Sequence, residues 1–230
     1  MERILITGAL GQLGQEFVKY FVKNNIYVLA TDIRSPKNKL NCDFEIANAM
    51  NKNKLDNLIN KYKLNTIYHL VAVLSANGEK NPFDSWKINM ESFQNIIEIS
   101  IKNKINRIFW PSSIAVFGTK SNLENVIQDP ILNPETMYGV SKLAGEKLMN
   151  YYNKKYDLDI RSLRYPGIIS FESKPGGGTT DYVMEMIESL KKGKNYNCFL
   201  NKNSRLPMLY INDAIMGTIK YMSTNKNNLS

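Results

Sequence analysis

Short apolar runs alternate along the chain with longer segments in which apolar residues recur every three or four positions. Apolar runs of this length predict buried strands, and the three-to-four spacing predicts amphipathic helices. Five strands are predicted, at 3–7 (RILIT), 26–32 (IYVLATD), 66–76, 107–118 and 157–170. Helices are predicted between them, after the glycines at 8–14, at 52–63, at 83–102 and along MYGVSKLAGEKLMNYY at 137–152.

This alternation of strands and helices predicts an α/β fold with a doubly wound parallel sheet and right-handed crossovers. After Pro166 the composition changes to a glycine-rich turn, a helix, and a short strand with a final helix at 205–222. We therefore expect two parts: a main domain at 1–166 and a small C-terminal substrate lobe at 167–230.

The first strand runs directly into a glycine turn and a helix. Gly8, Gly11 and Gly14 are spaced three apart, and an apolar helix face begins at Phe17. Glycines allow a tight turn and a close approach of the backbone to a pyrophosphate, and the helix N-terminus behind them favours an anion. Strand, turn, helix and second strand together predict a dinucleotide-binding, Rossmann-type domain.

Asp32 ends the second strand, 18 positions after Gly14. A carboxylate there can accept hydrogen bonds from both ribose hydroxyls of an adenosine and would repel a 2′-phosphate. The sequence therefore predicts NAD as the preferred cofactor over NADP. Arg34 argues mildly the other way, because a nearby guanidinium can pair with that phosphate.

The stretch Tyr138-Gly139-Val140-Ser141-Lys142 lies in the last helix of the main domain. Side chains four apart share one helix face, so the Tyr138 hydroxyl and the Lys142 ammonium can converge. A phenol is a poor base at neutral pH, and a nearby cation is expected to lower its pKa. The pair is therefore a candidate for proton transfer. Gly8, Asp32, Ala72, Ser75, Ser113 and Pro166 all follow predicted strand ends, where ligands bind in such sheets.

Composition excludes several other classes of function. The formal net charge is +9, but only six of the 30 basic residues are Arg and the Lys residues are scattered among 29 Asn, so nucleic-acid binding is not expected. One His and two separated Cys form no zinc motif, and both thiols are expected to be free. The sequence contains no run of about 20 apolar residues and no signal peptide, so a cytoplasmic protein without membrane contact is expected.

Four stretches, TGALGQLG, HLVA, PSSIAVFG and YGVSK, together resemble the extended short-chain dehydrogenase/reductases. Four more, LSANGEKNP, WPSSIAVFG, LRYPGIIS and PGGGTTDY, are similar to the short-chain-type L-threonine 3-dehydrogenases. The resemblance covers nearly the whole chain. It implies a metal-free, NAD-dependent oxidation of a small amino acid and a homodimer.

The resemblance also implies roles for individual residues. Tyr138 would be the base, Lys142 its partner and a ligand of the nicotinamide ribose, and Ser113 would hold the substrate oxygen, with Ser112 as the neighbouring alternative. The residues expected to contact the cofactor are Gly8, Leu10, Gly11, Gln12, Leu13, Gly14, Asp32, Ile33, Arg34, Asp43, Phe44, Leu70, Ala72, Asn89, Tyr138, Lys142, Tyr165 and Ile168. Those expected to contact the substrate are Ser75, Ser112, Ser113, Tyr138, Gly178, Thr179 and Thr180.

The resemblance implies oxidation of the β-hydroxyl of L-threonine to 2-amino-3-oxobutanoate. Two alternatives stay open. One is a nucleotide-sugar epimerase, dehydratase or reductase, which shares the Tyr/Lys pair but needs a longer cleft. The other is a truncated, non-catalytic NAD-binding protein, because similar proteins continue beyond the position of Ser230 and the C-terminal lobe is therefore expected to be incomplete. His69 is expected to be a hydrogen-bonded core residue, and Trp86 and Trp110 are expected in the core.

Overall fold

The computed structural model describes residues 2–118, 126–128, 130–171 and 181–229. The elements follow in the order β1 (Arg3–Thr7), α1 (Gln12–Lys23), β2 (Tyr27–Asp32), β3 (Asp43–Ile46), α2 (Lys52–Tyr62), β4 (Thr66–His69), α3 (Ser75–Lys80), α4 (Pro82–Asn103), β5 (Arg107–Phe109), β6 (Ser112–Ser113), α5 (Met137–Tyr156), β7 (Ile160–Arg161), β8 (Arg164–Tyr165), β9 (Gly167–Ile169), α6 (Tyr182–Lys191), β10 (Met208–Tyr210) and α7 (Ile211–Ser223). Short 3₁₀ turns lie at Ile114–Val116 and Lys226–Asn228.

Six of the strands form one parallel sheet in the order β3-β2-β1-β4-β5-β7. The order runs outward in both directions from the β1–β4 pair, so the doubly wound Rossmann-type fold is confirmed. In such sheets a crevice opens beyond the carboxyl ends of the strands at the point where the winding reverses. Here that point lies beyond Thr7 and His69, the paired last residues of β1 and β4.

Alternate side chains of the strands enter two hydrophobic clusters, one on each face of the sheet. Ile4 and Ile6 pack with Phe17 of α1 and Ile215 of α7, whereas Leu5 points to the opposite cluster. That second cluster is built from α2, α4 and α5. The two-residue period of a strand therefore divides the core between the two helical layers.

The two tryptophans differ in their surroundings. Trp110 is buried in the second cluster, as expected, but Trp86 is 41% exposed. The expectation of a core position for Trp86 was wrong, because Trp86 lies on the outer side of α4 where the apolar spacing of that helix reaches the surface.

Three of the predicted strands are shorter than their apolar runs. The run at 66–76 is a strand only to His69, then continues without regular structure and enters α3. The run at 107–118 divides into β5, β6 and a 3₁₀ turn, and the run at 157–170 divides into β7, β8 and β9. These last segments pair in three different sheets: β7 joins the main sheet, β8 pairs with β6, and β9 pairs with β10.

The helix α7 returns from the C-terminal segment to the main domain. It packs against α1, and Ile211, Ala214 and Ile215 join the same hydrophobic cluster as β1. At the other end of α7, the buried Arg161 donates hydrogen bonds to the carbonyls of Tyr221 and Thr224. A cation at the C-terminus of a helix satisfies carbonyls that lack partners within the helix. The boundary at residue 166 stays a prediction, since α7 beyond it shares the core of the main domain.

Candidate active site

The turn between β1 and α1 has the geometry that its glycines predict. Gly8 has a φ of +70°, a left-handed conformation that glycine adopts without steric cost, and this conformation lets the chain turn directly after β1. A Cβ built on Gly14 would lie 2.4 Å from the Gly8 carbonyl oxygen and 2.7 Å from the Cα of Ala9. Helix α1 therefore packs directly on the turn, and its N-terminus, capped by Gly11 without a side chain, faces the crevice with Gln12 and Leu13 in its first turn.

A cavity of about 290 Å³ opens beside this turn. It is lined by residues that follow the ends of four neighbouring strands and by one residue of α4, namely Gly8, Gly11, Asp32, Ile33, Arg34, Ala47, Asn48, Ala49, Met50, Leu70, Val71, Ala72 and Ile88. Among the predicted cofactor residues, Gly8, Gly11, Asp32, Ile33, Arg34, Leu70 and Ala72 are thus brought together around one cavity.

Asp32 is buried at the rim of this cavity and is held in a fixed orientation. One carboxylate oxygen accepts a hydrogen bond from the Leu10 backbone N–H at 3.1 Å. The other accepts from the backbone N–H and the Nε of Arg34, at 3.2 and 3.3 Å. The Arg34 side chain is 67% exposed, so this ion pair contributes little to stability. It does turn the guanidinium towards the carboxylate.

The second group of predicted residues meets at the start of α5. Thr136 caps this helix by accepting a hydrogen bond from the Gly139 N–H at 3.1 Å. A Cβ on Gly139 would lie 2.2 Å from the Ala115 carbonyl oxygen, so the helix packs closely on the turn that follows β6. This contact brings Tyr138 to Ser113, and a side-chain hydrogen bond joins the two.

Burial decides the protonation of Tyr138 and Lys142. It raises the pKa of Tyr138 to about 12, although the hydrogen bond with Ser113 opposes the rise, and it lowers the pKa of Lys142 to about 7. Tyr138 therefore has a raised rather than a lowered pKa in this structure, and the role of Lys142 in lowering it stays a prediction. The physical reason is that a low-dielectric site disfavours both the phenolate and the ammonium.

The Lys142 ammonium lies among backbone and ring atoms. It donates a hydrogen bond to the Pro111 carbonyl at 2.7 Å. It lies 5.4 Å from the centroid of the Tyr138 ring and 4.1 Å from that of Trp110. The predicted Tyr138–Lys142 proximity is present, but the shortest contacts of Lys142 are with other groups.

Ser112, the neighbouring alternative to Ser113, is directed away from Tyr138. Its hydroxyl is buried and donates to a carboxylate oxygen of Glu146 at 2.6 Å. Glu146 also accepts from the Nε and an Nη of Arg164, at 2.9 and 2.8 Å. Successive residues of a strand point to opposite faces, so only one of the two serines can face the Tyr138 hydroxyl. That serine is Ser113.

Asn89 is buried and connects two elements of the site rather than lining the cavity. Its side-chain oxygen accepts from the Val73 N–H at 2.7 Å, and its amide donates to the Val73 carbonyl at 3.1 Å. The same amide donates to the Ser141 hydroxyl at 3.3 Å, and Ser141 in turn donates to the Tyr138 carbonyl at 2.7 Å. Asn89 therefore fixes the segment after β4 against the start of α5.

Several predicted contacts lie elsewhere. Asp43 accepts a short hydrogen bond from the Tyr27 hydroxyl at 2.5 Å, and neither Asp43 nor Phe44 lines the cavity. The reason is that Asp43 and Phe44 lie at the start of β3, whereas the cavity lies beyond its end. The residues that line the cavity here are those that follow β3, beginning with Ala47. Tyr165 is buried in the hydrophobic cluster that contains Ile4 and Ile6, and its hydroxyl forms a hydrogen bond with Thr218 of α7. Ile168 packs against the same cluster.

The predicted substrate contacts are only partly described. Ser75 is the first residue of α3 and is half-buried. Gly178, Thr179 and Thr180 lie outside the described residues.

The sequence prediction missed the segment from Ala47 to Met50 and the α4 residue Ile88, which complete the cavity wall. The signal for the first was available: DFEI at 43–46 is a short strand, and the residues after a parallel strand belong to the ligand edge. Its alternation of charged and apolar residues was too short to identify it. Ile88 carries no local signal, since its place depends on how α4 packs.

The expectation for His69 is confirmed. The imidazole is fully buried, bonds to the Thr7 hydroxyl at 2.7 Å and the Ser92 hydroxyl at 3.0 Å, and burial lowers its pKa to about 3. The two cysteines are free thiols, as expected. Within the described ranges, no cluster of three or more His, Cys, Asp and Glu could hold a metal ion. In the same ranges, no helix has the length and apolarity to cross a membrane.

Comparison with known proteins places this arrangement in a family. The model of the NAD-dependent epimerase/dehydratase family matches residues 4–230. An uncharacterized epimerase/dehydratase of Staphylococcus haemolyticus is 41% identical over all of this chain and 73% of its own length.

Two solved structures are also similar. A GalE-like L-threonine dehydrogenase from Cupriavidus necator in its holo form has a TM-score of 0.96 and 37% identity, covering 99% of this chain and 75% of its own. A monomeric L-threonine 3-dehydrogenase from a metagenome has a TM-score of 0.94 and 40% identity. This match covers 99% of the present chain and 74% of the metagenome protein. The predicted homodimer stays a prediction, and the second of these proteins is described as monomeric.

Proposed function

The chain belongs to the NAD-dependent epimerase/dehydratase family, and from this premise we propose that it oxidises the β-hydroxyl of L-threonine to 2-amino-3-oxobutanoate. The family, together with the similar structures of L-threonine dehydrogenases, supports an NAD-dependent dehydrogenase. The observation that supports threonine as the substrate is the likeness to two L-threonine dehydrogenases, with TM-scores of 0.96 and 0.94. The contact of Ser113 with Tyr138, with Lys142 beside the ring, supports a proton transfer that the sugar-nucleotide enzymes would share.

The described residues fit NAD. Gly8 and Gly11 line the cavity and carry no side chain, so the backbone of the turn can approach a pyrophosphate there, while Gly14 allows α1 to pack directly on the turn. Asp32 lies at the rim of the adjoining cavity, where its carboxylate can accept hydrogen bonds from ribose hydroxyls. NAD, when bound, supplies the acceptor for the hydride that leaves the substrate carbon.

The proposed roles of the protein groups follow from their positions. Tyr138, as the phenolate, takes the proton of the substrate hydroxyl and becomes the neutral phenol, and Ser113 donates a hydrogen bond to the same substrate oxygen as it becomes a carbonyl oxygen. Lys142 in its charged form stabilises the Tyr138 phenolate across the helix turn that separates them. Ser75 and the segment Gly178–Thr180 are proposed to hold the amino acid.

Asp32→Ala is expected to weaken NADH binding by at least tenfold, because hydrogen bonds from the ribose hydroxyls to a charged carboxylate are lost. NADPH binding is expected to improve relative to NADH, since the repulsion of the 2′-phosphate disappears and Arg34 loses its carboxylate partner. Titrations of both cofactors by protein fluorescence measure the two dissociation constants. Asp43→Ala is the comparison variant. An equal loss of NADH affinity in Asp43→Ala would support the contact with the cofactor that the sequence predicted for Asp43.

An assay of NADH formation tests the substrate. L-threonine is expected to support NADH formation in the presence of NAD, whereas a panel of UDP- and dTDP-sugars is expected to give no product by chromatography. Turnover of a sugar nucleotide but not of threonine would favour an epimerase, dehydratase or reductase. Binding of NAD without turnover of any compound would favour a non-catalytic NAD-binding protein.

A further inference from the structure

The ammonium of Lys142 lies at one end of a column of stacked rings. Its Nζ is 4.1 Å from the centroid of the Trp110 ring. Trp110 stacks on Phe93, with centroids 4.5 Å apart and an interplanar angle of 20°. Phe93 in turn stacks on His69, at 6.4 Å and 12°. The column thus joins residues that follow or belong to β4, α4, β5 and α5.

The position of this ammonium needs an explanation, because Lys142 is 1% exposed and an ammonium is costly to bury. In the described part of the chain its nitrogen donates to one carbonyl, that of Pro111. An ammonium has three N–H donors, so a single carbonyl does not replace its hydration. The negative face of an indole attracts a cation more strongly than other side-chain rings do, and the attraction grows when water is excluded.

The indole is held in this position by the backbone of α5. A Cβ built on Gly145 would lie 2.2 Å from an edge carbon of the Trp110 ring. Gly145 is three residues after Lys142, so the two share one face of the helix. The helix that carries the ammonium therefore also provides the space for the ring beneath it, and the Phe93 ring supports the other side.

We propose that Trp110 is a positioning residue that holds the Lys142 side chain against its indole face and favours the charged form of that side chain. The contact is assigned from geometry alone. Its consequence for turnover rests on the proposed function, in which the charge of Lys142 stabilises the Tyr138 phenolate.

Other titratable groups near Lys142 do not account for its charge. Tyr138 faces it from the same helix, and burial raises the pKa of that hydroxyl, so it carries no negative charge at neutral pH. His69 faces it from β4 and is neutral, since burial lowers its pKa to about 3. Glu146 follows one helix turn later, but its carboxylate is bound to Ser112 and Arg164. Besides the Pro111 carbonyl, the indole is therefore the group at the shortest distance that can favour the cation, since the Tyr138 ring lies further away.

The test is an NMR titration of Lys142 in the full chain without cofactor. The protein is labelled with ¹³C at the ε carbons of lysine, and the Lys142 resonance is identified by its absence in Lys142→Met. Trp110→Leu removes the π face, so the charged form loses an attraction and the pKa of Lys142 is expected to fall by about one pH unit. Trp110→Phe is expected to give a smaller fall.

Phe109→Leu is the matched control, because Phe109 is the preceding buried ring and points into the opposite cluster. It should leave the titration of Lys142 unchanged. An unchanged or raised pKa in Trp110→Leu, or an equal fall in Phe109→Leu, would overturn the proposal.

A fluorinated ring keeps the test valid if Trp110→Leu does not fold. Incorporation of 4-fluorotryptophan weakens the π face and places the fluorine on a ring carbon other than the three that lie nearest to Gly145. The Lys142 resonance is expected to titrate at a lower pH than in the unsubstituted protein. An identical titration of Lys142 in the two proteins would contradict the proposed contact, whether or not L-threonine is turned over. A lower pKa of Lys142 in the fluorinated protein would support the contact, even if no turnover of L-threonine is observed.

Discussion

Replacement of Tyr138 by Phe is expected to reduce the turnover of L-threonine by about a thousandfold while leaving NADH binding almost unchanged. The variant keeps the ring that the start of α5 packs around, and it removes only the hydroxyl that bonds to Ser113. The loss should appear in kcat, because a proton-transfer group acts in the transition state and adds little to ground-state binding. Steady-state kinetics and a fluorescence titration with NADH measure the two quantities.

Tyr151→Phe is the matched control for this experiment. Tyr151 lies on the same helix, is 51% exposed and bonds to Lys155 on the surface, so the same chemical change is made away from the site. Turnover by Tyr138→Phe comparable to that of the control would remove Tyr138 from the proposed mechanism. A large loss of NADH binding in Tyr138→Phe would instead show that its hydroxyl serves the cofactor.

The pH dependence of wild-type turnover follows from the same two groups. A phenol with its pKa raised to about 12 is protonated at neutral pH, so the rate should increase as the pH rises and more phenolate forms. Loss of the positive charge on Lys142 opposes this increase in rate. The pKa of Lys142 is lowered to about 7, so the charge disappears as the pH rises above that value. Two interacting groups titrate as a pair, so the profile reports values that belong to neither residue alone.

The sequence predicted the sheet well because its strands are marked by local signals. The run RILIT is apolar without interruption, and the following glycines mark the end of a strand and the start of a helix. The candidate site residues Gly8 and Asp32 were predicted because each lies at the end of such a strand, and Tyr138 was predicted from its four-residue spacing to Lys142 on a helix. Spacing along the chain is sufficient where the geometry itself is local.

Features that depend on packing were not predictable in this way. The strand β3 has four residues and pairs only on one side, so its pattern is too short to distinguish from a loop. The division of 157–170 among three sheets depends on partners elsewhere in the chain, since β9 pairs with β10 about forty residues later. Local apolar content could not reveal either arrangement.

The same limit applied to the electrostatics of the site. The spacing of Tyr138 and Lys142 placed both groups correctly, but spacing says nothing about solvent. Once α5 packs on Trp110 and on the turn after β6, both side chains are removed from water and burial becomes the largest influence on each pKa. Desolvation raises one pKa and lowers the other, so the sign of the effect on Tyr138 could come only from the packed structure.

The burial of Lys142 has a measurable cost for stability, and Lys142→Met is expected to remove it. The amine has a pKa of about 7 in the folded protein and 10.5 as its ordinary value. The difference corresponds to about 5 kcal/mol as an upper limit. Loss of the hydrogen bond to the Pro111 carbonyl and of the contact with Trp110 offsets about half of this, so the variant should be more stable by about 2 kcal/mol at pH 7 while losing activity. Urea unfolding at pH 7 measures the gain.

The pH dependence of this gain separates burial of the charge from a general improvement of packing. Well below pH 7 the unfolded chain and the folded protein both carry the ammonium, so the wild type bears the full cost of burying it, and at pH 7 about half of the folded protein still carries it. Between pH 7 and 10.5 the unfolded chain binds a proton that the folded protein has released, so wild-type stability rises with pH and the advantage of Lys142→Met disappears. Lys147→Met, an exposed change on the same helix, should give a small effect that is constant over this range. A stabilisation of Lys142→Met that did not decline between pH 7 and about pH 9 would mean that the amine is not buried as a cation, and the role proposed for Trp110 would lose its basis.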